Sequence, residues 1–533
     1  MSGKKIFLLI VACLALTAIA TSQELQSGSI RGRVTDDTGQ PLPGVSITIS
    51  GPALIGKVTA VTNSEGMFRA PSLTPGTGYE VRAELNGFET TVQKGLIVNL
   101  NKTISIEIAM KPSTIQQEVT IIAPTPTVDV VRSTTSQTIT SDVLASLPLG
   151  RNVSNVLAMA PGAVGGSVHG DGRGEVGAVM DGIQMSEPDV GGVAFGYDVG
   201  IAWYMVEEYE LVTAGAPAKF FNSTSGLTNV LMKSGANRFS GEATVYYTDK
   251  NLAQIHLPEP DLQALNLAKP SVPVYSVDTS LSVGGPIVKD KVWFMAEFRM
   301  INSKYTGDFR PTVIDGKSYE NYDRKFPNYV GFLKLSAQLA KNVRASAMAH
   351  YSVQDVPYYY SGWGLTNEAN LNNKPIRFNY GATVSWTVND STIIDLRAGG
   401  LYFKWTGSTT AEGNPDGPAY YDEYTGYSWG QNGGEQYTYK PKANVSLTGT
   451  KFVDAFLGGN HEIKAGLEWE RNRGDWGFYM KQPLFWTYYD GSPYYWAAQN
   501  GGVTDPVYGD GLLTYAAIGA AEATGAEIGI TSR

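Results

Sequence analysis

Beyond Phe239 apolar and polar residues alternate with a period of two, and this pattern limits the chain's folds more than any other feature. Glu242, Thr244 and Tyr246 alternate with Ala243, Val245 and Tyr247. Tyr275, Val277, Leu281 and Val283 alternate with Ser276, Asp278, Ser280 and Ser282, and Val292, Phe294, Ala296, Phe298 and Met300 oppose Glu297 and Arg299. A tight Leu339-Ala340-Lys341-Asn342 turn joins two further strands, and Asn389-Asp390 joins Tyr380–Val388 to Ile394–Tyr402. The last such run holds Ile463, Ala465, Leu467 and Trp469. A period of two sends successive side chains to opposite faces of a strand. Strands of about ten residues with one apolar face build a lipid-facing barrel wall. The same alternation builds a soluble sandwich, so periodicity alone leaves both open.

The N-terminus narrows the choice. Lys4 and Lys5 precede an apolar run from Ile6 to Ala20 that ends in Ala18-Ile19-Ala20. A charged start, a short apolar core and a small-x-small site read as a secretory signal peptide over 1–20, cleaved after Ala20. A rival lipobox reading at Ile10-Val11-Ala12-Cys13 leaves too short a core before its cut and an apolar tail after it. No other run reaches the about 18 apolar residues of a helical span, so any membrane crossing is made by strands. The single cysteine excludes a disulfide scaffold, and 60 glycines with 30 tyrosines exclude a coiled coil. A net charge of −9 argues against nucleic acid as a partner. Length alone suggests three to four domains at about 150 residues each.

Residues 27–111 read as a small β-sandwich. Ile30–Val34 is a strand with its turn at Asp36-Asp37-Thr38-Gly39, Val45, Ile47 and Ile49 alternate, and Thr62–Gly66 turns into Met67-Phe68. Short strands with glycine-bearing turns between them give that architecture. This stretch, through Pro75-Gly76, Tyr79-Glu80-Val81 and Gly87-Phe88, resembles the carboxypeptidase regulatory-like, transthyretin-type domain, which is non-catalytic.

Residues 112–236 carry an ordered set of motifs. They are Gln117–Ala123 before Pro124-Thr125-Pro126, Leu147–Asn152, Ala160-Pro161-Gly162, Val179-Met180-Asp181-Gly182-Ile183, Val206–Leu211 and Thr213–Ala218. Gly226, Asn229-Val230 and Lys233–Gly241 complete the series. In this order they resemble the plug of TonB-dependent outer-membrane receptors of the Oar-like group. The resemblance implies a mostly β protein: signal peptide, transthyretin-like sandwich, α+β plug, then a transmembrane antiparallel β-barrel over 237–533. About nine barrel strands can be read there, against the about 22 that the resemblance implies for a full barrel, which at this spacing needs far more chain. The reading expects an incomplete, N-terminal part of a barrel, and a truncated record.

Motifs that imitate enzyme chemistry lack their context. Gly172–Gly177 satisfies GxGxxG without a βαβ unit, and Gly51–Lys57 mimics a P-loop but has Val58 where Ser or Thr would hold magnesium. His169, His256, His350 and His461 lack ligand spacing. The reading is therefore no enzyme, no cofactor and no metal.

Two places remain for function. Glu118, Val119, Thr120, Ile121, Ile122 and Ala123 form the candidate TonB box, an extended β-prone segment able to add to a partner's sheet edge; the alternative is the plug's first strand. The ligand-face candidates are His169, Asp171 and Arg173 on one plug loop, Tyr197 and Trp203 near another, and Tyr420, Tyr421, Tyr424 and Trp429 in an outer loop. Aromatic-polar loops suit peptides or sugars, and interfacial anchoring or loop-to-loop packing suits them equally. The resemblance implies a receptor in the Gram-negative cell outer membrane with its N-terminal domain periplasmic. Its partners are outer-membrane lipid, a TonB-type energy-coupling protein and an extracellular solute, with peptide or oligosaccharide favoured. The alternatives are a secreted or surface β-rich binding protein or adhesin without transport and, more weakly, the product of a degenerate gene.

Overall fold

The computed structural model describes residues 27–54, 56–113, 118–122, 135–146, 156, 159, 162–164, 167–168, 177–186, 201, 203–215, 226–252, 273–306, 311–314, 316–359, 364–389, 391–410, 413, 417–430, 435–456, 459–479, 484–489 and 492–498. The signal segment with Ala20 lies outside them.

The first unit holds β1 (Gly28–Asp36), β2 (Ser46–Ser50), β3 (Val58–Val61), β4 (Met67–Leu73), β5 (Gly76–Glu84), β6 (Thr90–Val98) and β7 (Thr103–Met110). Two sheets, ordered β4-β1-β7 and β3-β2-β5-β6, enclose Ile30, Val34, Val45, Ile47, Ile49, Tyr79, Val81, Ile104 and Ile106. Alternation sends these side chains inward and their polar neighbours outward. The Asp36 carboxylate accepts bonds from the Thr38 and Gln40 amides and closes the first turn. The Thr38 hydroxyl, donating to the same carboxylate, and after it the Gln40 amide hold the Asp36 pKa below the usual carboxylate range. The P-loop mimic at 51–57 is the hairpin loop between β2 and β3. A further strand, β8 (Glu118–Ile122), joins the outer edge of β6.

The second unit holds β9 (Thr135–Thr140), α1 (Ser141–Ser146), β10 (Ala163–Val164), β11 (Ser167–Val168), β12 (Gly177–Met180), β13 (Ile183–Gln184), β14 (Val206–Ala214) and β15 (Leu227–Met232). Its five-stranded sheet runs β13-β12-β15-β14-β9. Strand β9 is therefore the first strand of this sheet in the chain, and β8 belongs to the other unit. Asp181 and Gly182 both take positive φ (48° and 76°) between β12 and β13. This is the two-residue Asp-Gly hairpin of type I′, whose twist matches the flanking strands.

The third unit is one long antiparallel sheet. Its path joins β16 (Ser240–Asp249), β17 (Pro273–Val288), β18 (Val292–Thr306), β21 (Asp323–Ala340), β22 (Val343–Gln354), β24 (Ile376–Asn389), β25 (Thr392–Thr409), β28 (Glu435–Phe456) and β29 (Gly459–Asn472). Short hairpin turns lie at one end and long connections at the other. The long connections carry β19 (Thr312–Ile314), β20 (Lys317–Tyr319), β23 (Leu371–Asn373), β26 (Ala419–Asp422) and β27 (Ser428–Gly430), and β30 (Asp475–Tyr479), β31 (Leu484–Tyr489) and β32 (Ser492–Ala498) follow β29. Most path strands exceed the ten residues read from the pattern, reaching 22 in β28. Hydrophobic alternation marks only the apolar band, whereas main-chain pairing continues past it toward the long connections.

The two faces of this sheet invert the usual order. Leu281, Phe298, Leu333, Leu396, Leu447, Leu467 and Trp469 are exposed, while Asp278, Glu297, Arg299, Lys334, His350, Arg377, Asp395 and Lys442 are buried. The second unit packs on the charged face, where Met180, Ile183, Tyr209 and Leu211 share a core with Met295, Phe332, Met348 and Phe403.

Truncating the fully buried Ile47 leaves a cavity that neighbouring strands fill poorly. Ile47→Ala is expected to destabilise the first unit by about 2–4 kcal/mol, seen as faster hydrogen exchange confined to the amides of β2 and β5.

Candidate functional site

The hairpin between β12 and β13 is the seat of the second unit in the sheet. Asp181 Oδ1 accepts the Met232 amide at 3.0 Å, and Asp181 Oδ2 lies 2.8 Å from Lys334 Nζ. The same ammonium donates to the Met232 carbonyl at 2.9 Å. Next along the hairpin, Ile183 lies against Gly381 and Gly399, registered partners on β24 and β25. A Cβ at Gly381 would come within 2.7 Å of Ile183, and one at Gly399 within 2.8 Å. The glycine pair is thus a notch that only the bare backbone leaves open. Asn444 Nδ2 donates to the Gln184 carbonyl at 2.9 Å and fixes the hairpin's far side.

A second anchor lies on β17 and β18. Arg299 donates from Nε to Asp278 Oδ1 (2.9 Å) and from Nη2 to Asp278 Oδ2 (2.7 Å), a buried two-pronged pair. The guanidinium also sits 5.2 Å from the centre of the Tyr204 ring, which belongs to the second unit. Burial pushes the Tyr204 phenol above its ordinary range.

At the short-turn end the first unit docks on both others. Its turn between β6 and β7 meets β14: the Leu100 amide donates to Glu208 Oε1 at 2.7 Å, and Asn101 Nδ2 to Glu210 Oε2 at 2.6 Å. Lys102 Nζ donates to Ser136 Oγ on β9 at 2.7 Å. Asn101 holds a left-handed φ of 57°, which aims its amide at the strand. Arg344, beside a short turn of the sheet, donates to the Ser72 carbonyl at 2.9 Å, and Arg69 lies 4.5 Å over the Phe452 ring. Burial is the main cause that pushes the Glu208 carboxyl up to about 8; Glu210 and Glu207 add to it, and the Leu100 amide and Lys102 oppose it.

The structure separates the ligand-face candidates. Trp429 is buried and stacks on Tyr420 with ring centres 5.3 Å apart, and both pack near Tyr319 and Tyr322. The Glu368 carboxylate gathers this cluster by accepting from Lys317, the Tyr319 hydroxyl and the Gly430 amide. Tyr421 and Tyr424 are exposed. Trp203 opens the 3-10 turn Trp203–Met205. His169, Asp171, Arg173 and Tyr197, with Ala123 of the candidate box, lie outside the described residues. His350 is buried, its Nδ1 3.4 Å from Asn379 Nδ2. Among the described residues no three His, Cys, Asp or Glu side chains gather as a metal cluster.

Sequence reasoning quoted Asp181 only as part of a motif and passed over Lys334, Gly381 and Gly399. The usable signal was a lysine at an inward position of an otherwise lipid-type alternation.

Residues 29–111 match the carboxypeptidase regulatory-like domain family. The chain is 28% identical over 305 residues to the TonB-dependent transporter Oar of Myxococcus xanthus, covering 52% of this chain and 27% of Oar. The aligned part thus spans little more than a quarter of that relative's length. The fold is similar to that of the outer-membrane transporter YddB of Escherichia coli, with a TM-score of 0.52 and 13% identity over 69% of this chain and 52% of YddB. The Oar-like resemblance carried by the motifs therefore holds, and the long sheet with the unit packed on it matches the barrel and plug region of such receptors.

Removing the ammonium at Lys334 leaves Asp181 buried without its counter-charge. Lys334→Met is expected to cost about 3–5 kcal/mol, read as a rise in hydrogen exchange across β12, β13 and β15 while β24 and β25 stay protected. The Glu208 acidity sets a second outcome. Its carboxyl is raised in the docked state, so stabilisation from the bound proton is full below its unfolded value near 4.5 and is lost as pH rises through about 8. Spin labels on cysteines replacing Asp37 and Lys341 should report a narrower distance distribution at pH 5.5 than at pH 8.5. Glu208→Gln should flatten that difference.

Proposed function

We propose that this chain supplies the periplasmic domain, the plug and barrel wall of an outer-membrane receptor that binds an extracellular solute and imports it when the plug is rearranged by a TonB-type protein. The observation that carries this reading is the inverted sheet, with bare leucines and aromatics on one face and buried charges on the other. A soluble protein rarely exposes so continuous an apolar face. In hydrocarbon that face is solvated, and each strand of the wall from β17 to β28 is paired with a neighbour on both sides. The domain limits follow the sequence: signal peptide 1–20, regulatory-like sandwich 27–111, plug 112–236 and barrel wall 237–533.

In this arrangement the short turns and the regulatory-like unit face the periplasm, and the long connections face outward. Asp181 and Lys334 hold the plug in register, and the Ile183 notch resists its sliding. Movement of the plug must break a charge pair and withdraw Ile183 from between two glycines, which calls for an external energy source. Residues 118–123 are the segment that a TonB-type partner engages by strand addition. Exposed Tyr421 and Tyr424 beside the Glu368-held aromatic cluster favour peptide or oligosaccharide by stacking and hydrogen bonding. The chemistry is transport without catalysis.

Two measurements test this reading. Leu467→Arg, on the bare face opposite Leu447, should cost about 2–4 kcal/mol of membrane stability if it sits at mid-bilayer. The variant should be depleted from the detergent-extracted membrane fraction, and equal yield of free soluble protein from both forms would refute the wall. Uptake of a defined peptide mixture and of defined oligosaccharides should then stop when the cell's TonB-type protein is removed. Uptake of both unchanged by that removal would refute energy coupling.

A further inference from the structure

We propose that the β6 edge of the regulatory-like unit is a docking site for the chain's own β8 strand, which it withholds from the energy-coupling protein until released. The inference rests on the reading of residues 118–123 as the coupling segment.

Five consecutive residues pair in parallel register, from Thr90↔Glu118 through Lys94↔Ile122. The route to this edge is built in. After β7 the Glu89 amide donates to the Lys111 carbonyl, and the Ser113 amide donates to the Gly87 carbonyl. These bonds lead the chain to the start of β6, so β8 enters parallel to it. A free segment of this composition has no reason to stay ordered, because an isolated strand is unstable in water. The main-chain bonds that hold it on β6 are of the kind a partner's sheet edge offers by strand addition.

The edge is also fixed in place. Strand β6 ends at Val98 and leads directly into the Leu100–Lys102 turn that grips Glu208, Glu210 and Ser136. The strand that holds β8 therefore continues into the contact that holds the plug. Release of β8 and loosening of that contact act on one short piece of backbone, so access of the partner and readiness of the plug are linked.

A cysteine pair tests the idea in the full chain. Val92 and Thr120 are registered partners on β6 and β8, and the sequence contains one other cysteine, Cys13. The double variant Val92→Cys/Thr120→Cys, extracted in detergent, is compared oxidised and reduced. The probe is the purified periplasmic domain of a TonB-type protein. A synthetic peptide of residues 116–126 and the single variant Thr120→Cys serve as references. The expected result is that the peptide binds, the reduced chain binds more weakly than the peptide, and oxidation lowers chain binding a further tenfold or more until reductant restores it. Equal binding by oxidised and reduced chains, with a binding peptide, would overturn the withholding role and leave the coupling segment intact, the partner then adding to the outer edge of β8. Failure of the pair to cross-link would overturn the β6 docking. A peptide that does not bind would remove the coupling reading, and this inference with it.

Discussion

Lys334 and Asp181 meet inside the molecule, one from the long sheet and one from the unit packed on it. Neither charge could be left in a low-dielectric interior alone, since desolvation of a single ion costs several kcal/mol. The pair is further bound to the chain: Asp181 accepts the Met232 amide and Lys334 reaches the Met232 carbonyl. Four polar groups from two units are thus satisfied within one small region. Two more pairs on the inner wall follow the same rule, Asp278 against Arg299 and Lys442 against Glu470. These three pairs are tolerated on the enclosed face because each charge in them finds an opposite partner there, and the outer face carries exposed apolar side chains. A sheet with this polarity needs a filled polar side and a non-aqueous apolar side, and the packed unit meets the first of those needs.

Much of this was legible in the residues because alternation is a local signal. Val45, Ile47 and Ile49 point inward in the first unit, the turns at 341–342 and 390–391 fall where the pattern breaks, and Phe298 faces away from Glu297 and Arg299. The contacts between units were not legible. Asn101 finds Glu210 across 109 positions, and Arg344 finds Ser72 across 272. No periodicity within either segment encodes that distance. The aromatic outer loop shows the same limit in another form. Composition placed Tyr420, Tyr421, Tyr424 and Trp429 together, yet only the fold separates the stacked pair Tyr420–Trp429 from Tyr421 and Tyr424, which meet solvent. The lengths of the strands escaped for a related reason: hydrophobic alternation records where one face is apolar, and main-chain pairing does not stop at the edge of that band.

The placement of the regulatory-like unit brings these themes together. It sits at the end where hairpin turns are short, and it grips strand β14 of the second unit through Glu208 and Glu210 and the sheet through Arg344 and Phe452. A sandwich fastened to both other units restrains one against the other more than either contact could alone, because both must yield together. The grip on β14 uses carboxylates that are almost wholly buried by the turn above them. Once the turn lifts, water reaches those carboxylates and solvates them, so the undocked state gains hydration as the docked state loses hydrogen bonds. The difference between the two states is therefore smaller than the bond list suggests. A contact of that kind is firm enough to order the first unit on the second and weak enough to be broken at modest cost.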